Sequence, residues 1–90
     1  MKVNIQAVNF EIAKKLNDYI EKKCSRFERH LKDNDELMIK LTLVKRETAM
    51  NKEAQVRIGN LFAEKVCDTF EEAIANCIDA LYGQLERRKN

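Results

Sequence analysis

Lys22, Arg26 and Arg29 recur at intervals of four and three residues, the spacing that returns side chains to one face of a helix. Lys15 lies seven residues before Lys22 and shares that face, and Lys23 flanks it. A second basic group, Arg87, Arg88 and Lys89, ends a later helical pattern. Ammonium and guanidinium groups arrayed this way hold phosphates by charge and hydrogen bonding, and need no further chemistry to do so. The competing reading is a solvated helix face laced with ion pairs, for which Asp18–Lys22 and Glu28–Lys32 have the right i,i+4 spacing. The second basic group tilts the balance toward an anionic partner.

Catalytic and metal-binding residues are sparse. His30 is the one histidine. A general base needs an oriented partner, and the nearest acid, Glu28, falls on a different side of the helix. Cys24, Cys67 and Cys77 show no CxxC spacing, so neither a zinc site nor a redox pair is indicated. Reduced core thiols are the expectation. Asp33, Asp35 and Glu36 lack the glycine and ligand ladder of a calcium loop. With only Gly59 and Gly83 in the chain, no phosphate-cradling glycine loop is possible. The reading is a non-enzymatic binding protein, with no catalytic residue, no metal, no cofactor and no small-molecule substrate.

The charge balance qualifies the basic groups. There are 17 Lys and Arg against 15 Asp and Glu, a net charge of only +2, so an anionic partner must be read from where the charges sit. Ninety residues with 44% apolar content predict a single folded domain over 1–90 with a small core. No apolar run is long enough to span a membrane. The opening MKVNIQ shows no signal-peptide pattern, and a cytoplasmic location is expected.

The elements that carry these residues follow from periodicity. Residues 2–8 alternate, with Val3, Ile5 and Ala7 on one side, as in a half-buried strand. Asn9 precedes a helical stripe of Ile12, Leu16, Ile20, Cys24, Phe27 and Leu31, predicting about five turns. Residues 37–46 return to period two, with Leu37, Ile39, Leu41 and Leu43 inward and Met38, Lys40, Thr42 and Val44 outward. Ala54, Val56 and Ile58 define a third strand, Gly59-Asn60 a hairpin turn, and residues 61–67 a fourth strand. Thr69 with Glu72 reads as a capping box, opening a second helix along Phe70, Ile74, Cys77, Ile78, Leu81 and Leu85. The expected class is α+β. It is a two-layer β-α-β-β-β-α domain, a four-stranded sheet with both helices on one face, similar in outline to double-stranded RNA-binding domains. The strands lack an interleaved aromatic display, which argues against base stacking on the sheet. An apolar patch for a protein partner is hinted at only by Met38 and Val44.

Several short segments together carry a resemblance. They are Val3-Asn4-Ile5-Gln6, Tyr19-Ile20-Glu21-Lys22-Lys23, Arg26-Phe27-Glu28-Arg29-His30, Lys52-Glu53-Ala54, Leu61-Phe62-Ala63 and Asp68-Thr69-Phe70-Glu71-Glu72-Ala73-Ile74, followed by Asp79, Leu81, Gln84 and Leu85. In this order and spacing the chain resembles the ribosome hibernation-promoting factors, also called ribosome-associated inhibitor or sigma factor modulation proteins. The stretch from Glu47 to Ala54 is similar to the Bacteroidetes form. The resemblance implies a domain that binds the small ribosomal subunit in the messenger and tRNA channel, against 16S rRNA, blocking translation and stabilising idle ribosomes in stress or stationary phase. Carried over, the rRNA-binding positions are Lys22, Lys23, Arg26, Arg29, Arg87, Arg88 and Lys89. Ala80, Gly83 and Glu86 stand where the family tends to be basic. The resemblance is to the short forms, which lack a ribosome-dimerising domain, and implies a monomer off the ribosome. The alternative from the residues alone is a general double-stranded RNA binder without ribosome preference.

Overall fold

The computed structural model describes residues 2–27, 35–44 and 50–88, for Arg88 the backbone alone. Strand β1 is Lys2–Val8, helix α1 Lys14–Cys24 continued by a 3₁₀ turn at Ser25–Phe27, β2 Glu36–Leu43, β3 Lys52–Ile58, β4 Leu61–Cys67 and α2 Phe70–Arg88. The sheet order is β1-β2-β3-β4. β1 pairs parallel with β2 across the α1 crossover, and the β2–β3 and β3–β4 pairs are antiparallel. Both helices lie on one face, α2 against β3 and β4 with α1 beside it, and the expected two-layer β-α-β-β-β-α architecture is the one observed.

Alternation places the core. Leu37, Ile39 and Leu41 on β2 and Ala54, Val56 and Ile58 on β3 are buried under the helices, while their neighbours Met38, Lys40 and Arg57 are exposed. Leu43, expected inward, is only half-buried at the strand end. The β3–β4 hairpin turns at Gly59-Asn60 with Gly59 at φ +57°, a left-handed conformation that costs a residue without Cβ little. In α2 the Thr69 Oγ1 accepts the Glu72 N–H at 3.1 Å, one half of the expected capping box. Ala73, Ile74, Cys77, Ile78, Leu81 and Leu85 form its buried stripe, and Phe70 stacks on Phe10 at 4.4 Å between centroids.

The first helix departs from its expected length. Asn9, which precedes the helical pattern in sequence, sits at φ +69°, and its Nδ2 donates to the Leu43 carbonyl at 3.2 Å, closing the end of β1. Asparagine tolerates this left-handed conformation. The helix starts at Lys14 after Ala13, with no side-chain cap and no acid in its first turn. Lys14 and Lys15 there oppose the helix dipole. An eleven-residue helix of this kind is marginal alone, so packing of Ile20, Cys24 and Phe27 sustains it. The helical pattern tightens at Ser25–Phe27, where the Ser25 hydroxyl donates to the Lys22 carbonyl at 2.7 Å. Leu31, and with it the last part of the five turns expected, lies outside the described residues.

All three cysteines are free thiols, Cys24 and Cys77 buried and Cys67 half-buried. Only two therefore belong to the core. Burial, reinforced by Glu21, pushes the Cys24 thiol up from an ordinary value near 9 to about 12. Burial, partly offset by Lys65, pushes Cys77 up to about 11. The folded chain thus retains two protons that the unfolded chain releases above pH 9. Stability fully present below pH 9 is lost as pH rises toward 11–12, by up to about 1.4 kcal/mol per pH unit for each thiol. Urea denaturation at pH 8 to 10.5 is expected to show this decline, and Cys24→Ala with Cys77→Ala to flatten it. An unchanged slope in that variant would assign the decline to other groups.

Candidate nucleic-acid interface

Two contacts set how the helices lie. The Tyr19 hydroxyl donates to the Glu71 carbonyl at 3.4 Å, and seven residues later Arg26 Nη1 pairs with Asp79 Oδ1 at 2.6 Å. The partners advance along α2 as the sequence advances along α1, so the helices run side by side in the same direction. Their C-terminal ends therefore point the same way. Lys22 and Lys23 occupy the last turn of α1. Arg87 lies about 12 Å beyond Asp79 at 1.5 Å per residue, in the last turn of α2. One end of the helix layer is basic, and the opposite end of α2 carries Glu71 and Glu72. Each placement also neutralises a helix dipole.

The basic residues differ in what they are free to do. Lys22 is exposed, and the expected Asp18–Lys22 pair does not close within ion-pair distance; an exposed pair gains too little to hold two long side chains together. Lys23 is half-buried, its ammonium 5.6 Å from the Tyr19 ring centroid. Arg26 is tied down twice. It pairs with Asp79, and its guanidinium lies 4.3 Å from the Tyr82 ring centroid. Its site in the 3₁₀ turn also moves it off the continuous helical face read from the spacing. Arg87 Nε donates to the Gly83 carbonyl at 3.3 Å, which anchors the base of an exposed side chain. Burial, with Glu71 and Asp79 nearby, raises the Tyr19 phenol above its ordinary value and keeps it a hydrogen-bond donor. Arg29, His30 and Lys89, together with the Glu28–Lys32 pair and Asp33, lie outside the described residues.

The profile of the family described as sigma 54 modulation protein / S30EA ribosomal protein matches residues 3–90. The chain belongs to that family. Among solved structures it is similar to the N-terminal domain of Protein Y from Thermus thermophilus, with TM-score 0.79 and 23% identity over 97% of this chain and 98% of that one. It is also similar to a ribosomal subunit interface protein from Coxiella burnetii, with TM-score 0.72 and 18% identity over 99% and 98%. At these identities the likeness is one of fold. No curated protein matches the chain.

Among the described residues no three His, Cys, Asp or Glu side chains gather where they could hold a metal ion, and no helix is long and apolar enough to cross a membrane. The four strands carry one aromatic residue, not an interleaved display, and it lies on the other side of the sheet. Phe62 is an exposed aromatic on that side, with the Arg57 guanidinium 5.1 Å from its ring centroid. Its signal was present in the alternation of β4, where Phe62 falls on the side opposite Ala63. Of the two apolar hints, Met38 is exposed between Lys40 and Arg57, and Val44 is half-buried. A broad apolar patch is not what the open face presents.

Proposed function

We propose that this single domain binds the small ribosomal subunit, holding 16S rRNA phosphates with the basic end of its parallel helices. Among the described residues its proposed contacts are Lys22, Lys23, Arg26 and Arg87, and Arg29, Arg88 and Lys89 join them by sequence. The observation that carries this reading is the family match over residues 3–90. The Coxiella relative, a ribosomal subunit interface protein, supports it. Occupancy of the messenger and tRNA channel would block translation and keep idle ribosomes intact in the cytoplasm during stress, without turnover. The Glu47–Ala54 stretch supports a Bacteroidetes-type member of the family, and the proposed state off the ribosome is a monomer.

Phosphate contacts carry no sequence information, so the competing reading is a general double-stranded RNA binder. Co-sedimentation of the purified chain with small subunits in a sucrose gradient, challenged with a plain RNA duplex, separates the two. Retention on subunits against excess duplex is the expected result. Equal displacement by duplex would leave the general binder, and absence from the subunit peak at low salt would end both.

A further inference from the structure

The face of the sheet turned away from the helices carries a shallow groove of about 320 Å³. Pairing register builds it: Asn4, Met38, Arg57 and Phe62 face one another in a row across all four strands. The row crosses about 14 Å at the usual strand spacing. Met38 is 51% and Phe62 42% exposed, so both present apolar surface to solvent. In the next row Gln6 stands opposite Lys40.

The groove is selective in charge. Its lining includes two cations, Lys40 and Arg57, and no carboxylate. The face does carry Glu36, Glu53 and Glu64, outside the lining, and each is engaged by an amide. Glu36 accepts from Asn4, and Gln55 Nε2 donates to Glu53 at 3.2 Å and Glu64 at 2.7 Å. These bonds hold the acids at the rim and use the Gln55 amide protons, leaving its carbonyl as an acceptor. Gln6 is exposed and has no side-chain partner among the described residues.

We infer that this groove is a second RNA-contacting surface, one that takes a nucleotide of single-stranded RNA. The base stacks on the Arg57–Phe62 pair over Met38, Lys40 holds a phosphate, and the Gln6 and Gln55 amides meet base edges. Aromatic rings and guanidinium planes are the surfaces on which unpaired bases stack. Two cations beside apolar surface, with amides in the lining and the acids held at the rim, fit a nucleotide better than an acidic peptide, which offers no flat π-face to the Arg57–Phe62 pair. The site is separate from the helix ends and does not depend on their role.

Fluorescence anisotropy of a labelled hexauridine RNA titrated with the intact chain tests it. Saturable binding is expected, weakened about 5- to 150-fold by Phe62→Ala, the range that loss of one stacked base spans. It should be retained by Phe62→Tyr. Circular dichroism confirms that each variant is folded; Phe62 is exposed, and Phe62→Leu serves if the alanine variant is not. The single phosphate contact of Lys40 predicts a log–log salt slope of about −0.7. The comparison is repeated in a Lys22→Ala, Arg87→Ala background, because the helix ends hold phosphates of any RNA, and the Phe62→Ala loss should persist there. No anisotropy change, equal affinity with and without Phe62→Ala in that background, or tighter binding of a phenylalanine-containing glutamate hexapeptide would each overturn the assignment.

Discussion

Replacing Lys22, Lys23, Arg87 and Arg88 together with alanine is expected to weaken binding to small ribosomal subunits by about 10³- to 10⁴-fold at 0.1 M salt. Each phosphate contact contributes a salt slope of about −0.9, roughly tenfold in affinity at that ionic strength, through counterion release. The same variant should therefore lose about three to four from its salt slope, measured by filter binding over a KCl series. Arg26 is left out because it has a structural task, bridging the end of α1 to Asp79 and Tyr82. Both partners are well exposed, so the pair itself contributes little to stability. Asp79→Asn removes a carboxylate from beside the basic end and releases Arg26, and should tighten subunit binding several-fold. Lysine-to-arginine replacements at Lys22 and Lys23 should retain binding. A four-fold alanine variant with unchanged affinity and slope would place the rRNA contacts elsewhere.

What the sequence disclosed, it disclosed through periodicity and local chemistry. Alternation in β2 and β3 identified the buried residues because one sheet face is covered by helices and the other is not. Gly59 and Thr69 marked their turn and cap because each meets a local backbone requirement. The start of α1 was not legible. Asn9 directly precedes the apolar stripe in one dimension, and only β2 supplies the Leu43 carbonyl that its side chain takes. Tertiary context overrode a local preference.

The candidate site divides along the same line. Helical spacing brought Lys22, Lys23 and Arg26 together, because they lie within about one turn of each other. That α1 and α2 run in the same direction, so that Arg87 joins them at one end, follows from packing between helices 52 and 53 residues apart in the chain. The neutralisation of Arg26 by Asp79 is equally non-local. Phe62 escaped notice because a lone phenylalanine in a strand reads as core. Its exposure depends on which side of β4 the helices cover.

Phe27→Ala is expected to remove about 3–5 kcal/mol of stability, the range for truncating a fully buried phenylalanine. The side chain is 0% exposed and the largest of the fully buried residues, its ring 6.4 Å from that of Tyr82. A chain of this size holds roughly 5–13 kcal/mol in total, so this single change would consume a large share. The loss should exceed what the ring's contacts imply for α1 alone, because Phe27 is the buried member of the turn that carries Arg26. An uncapped helix with two lysines at its positive end has little reserve of its own. Urea denaturation followed by circular dichroism should show the midpoint falling sharply for Phe27→Ala and by much less for Phe27→Leu, which keeps most of the volume. If alanine costs under 1 kcal/mol, Phe27 does not anchor the turn, and Arg26 is held over Tyr82 by its own two contacts.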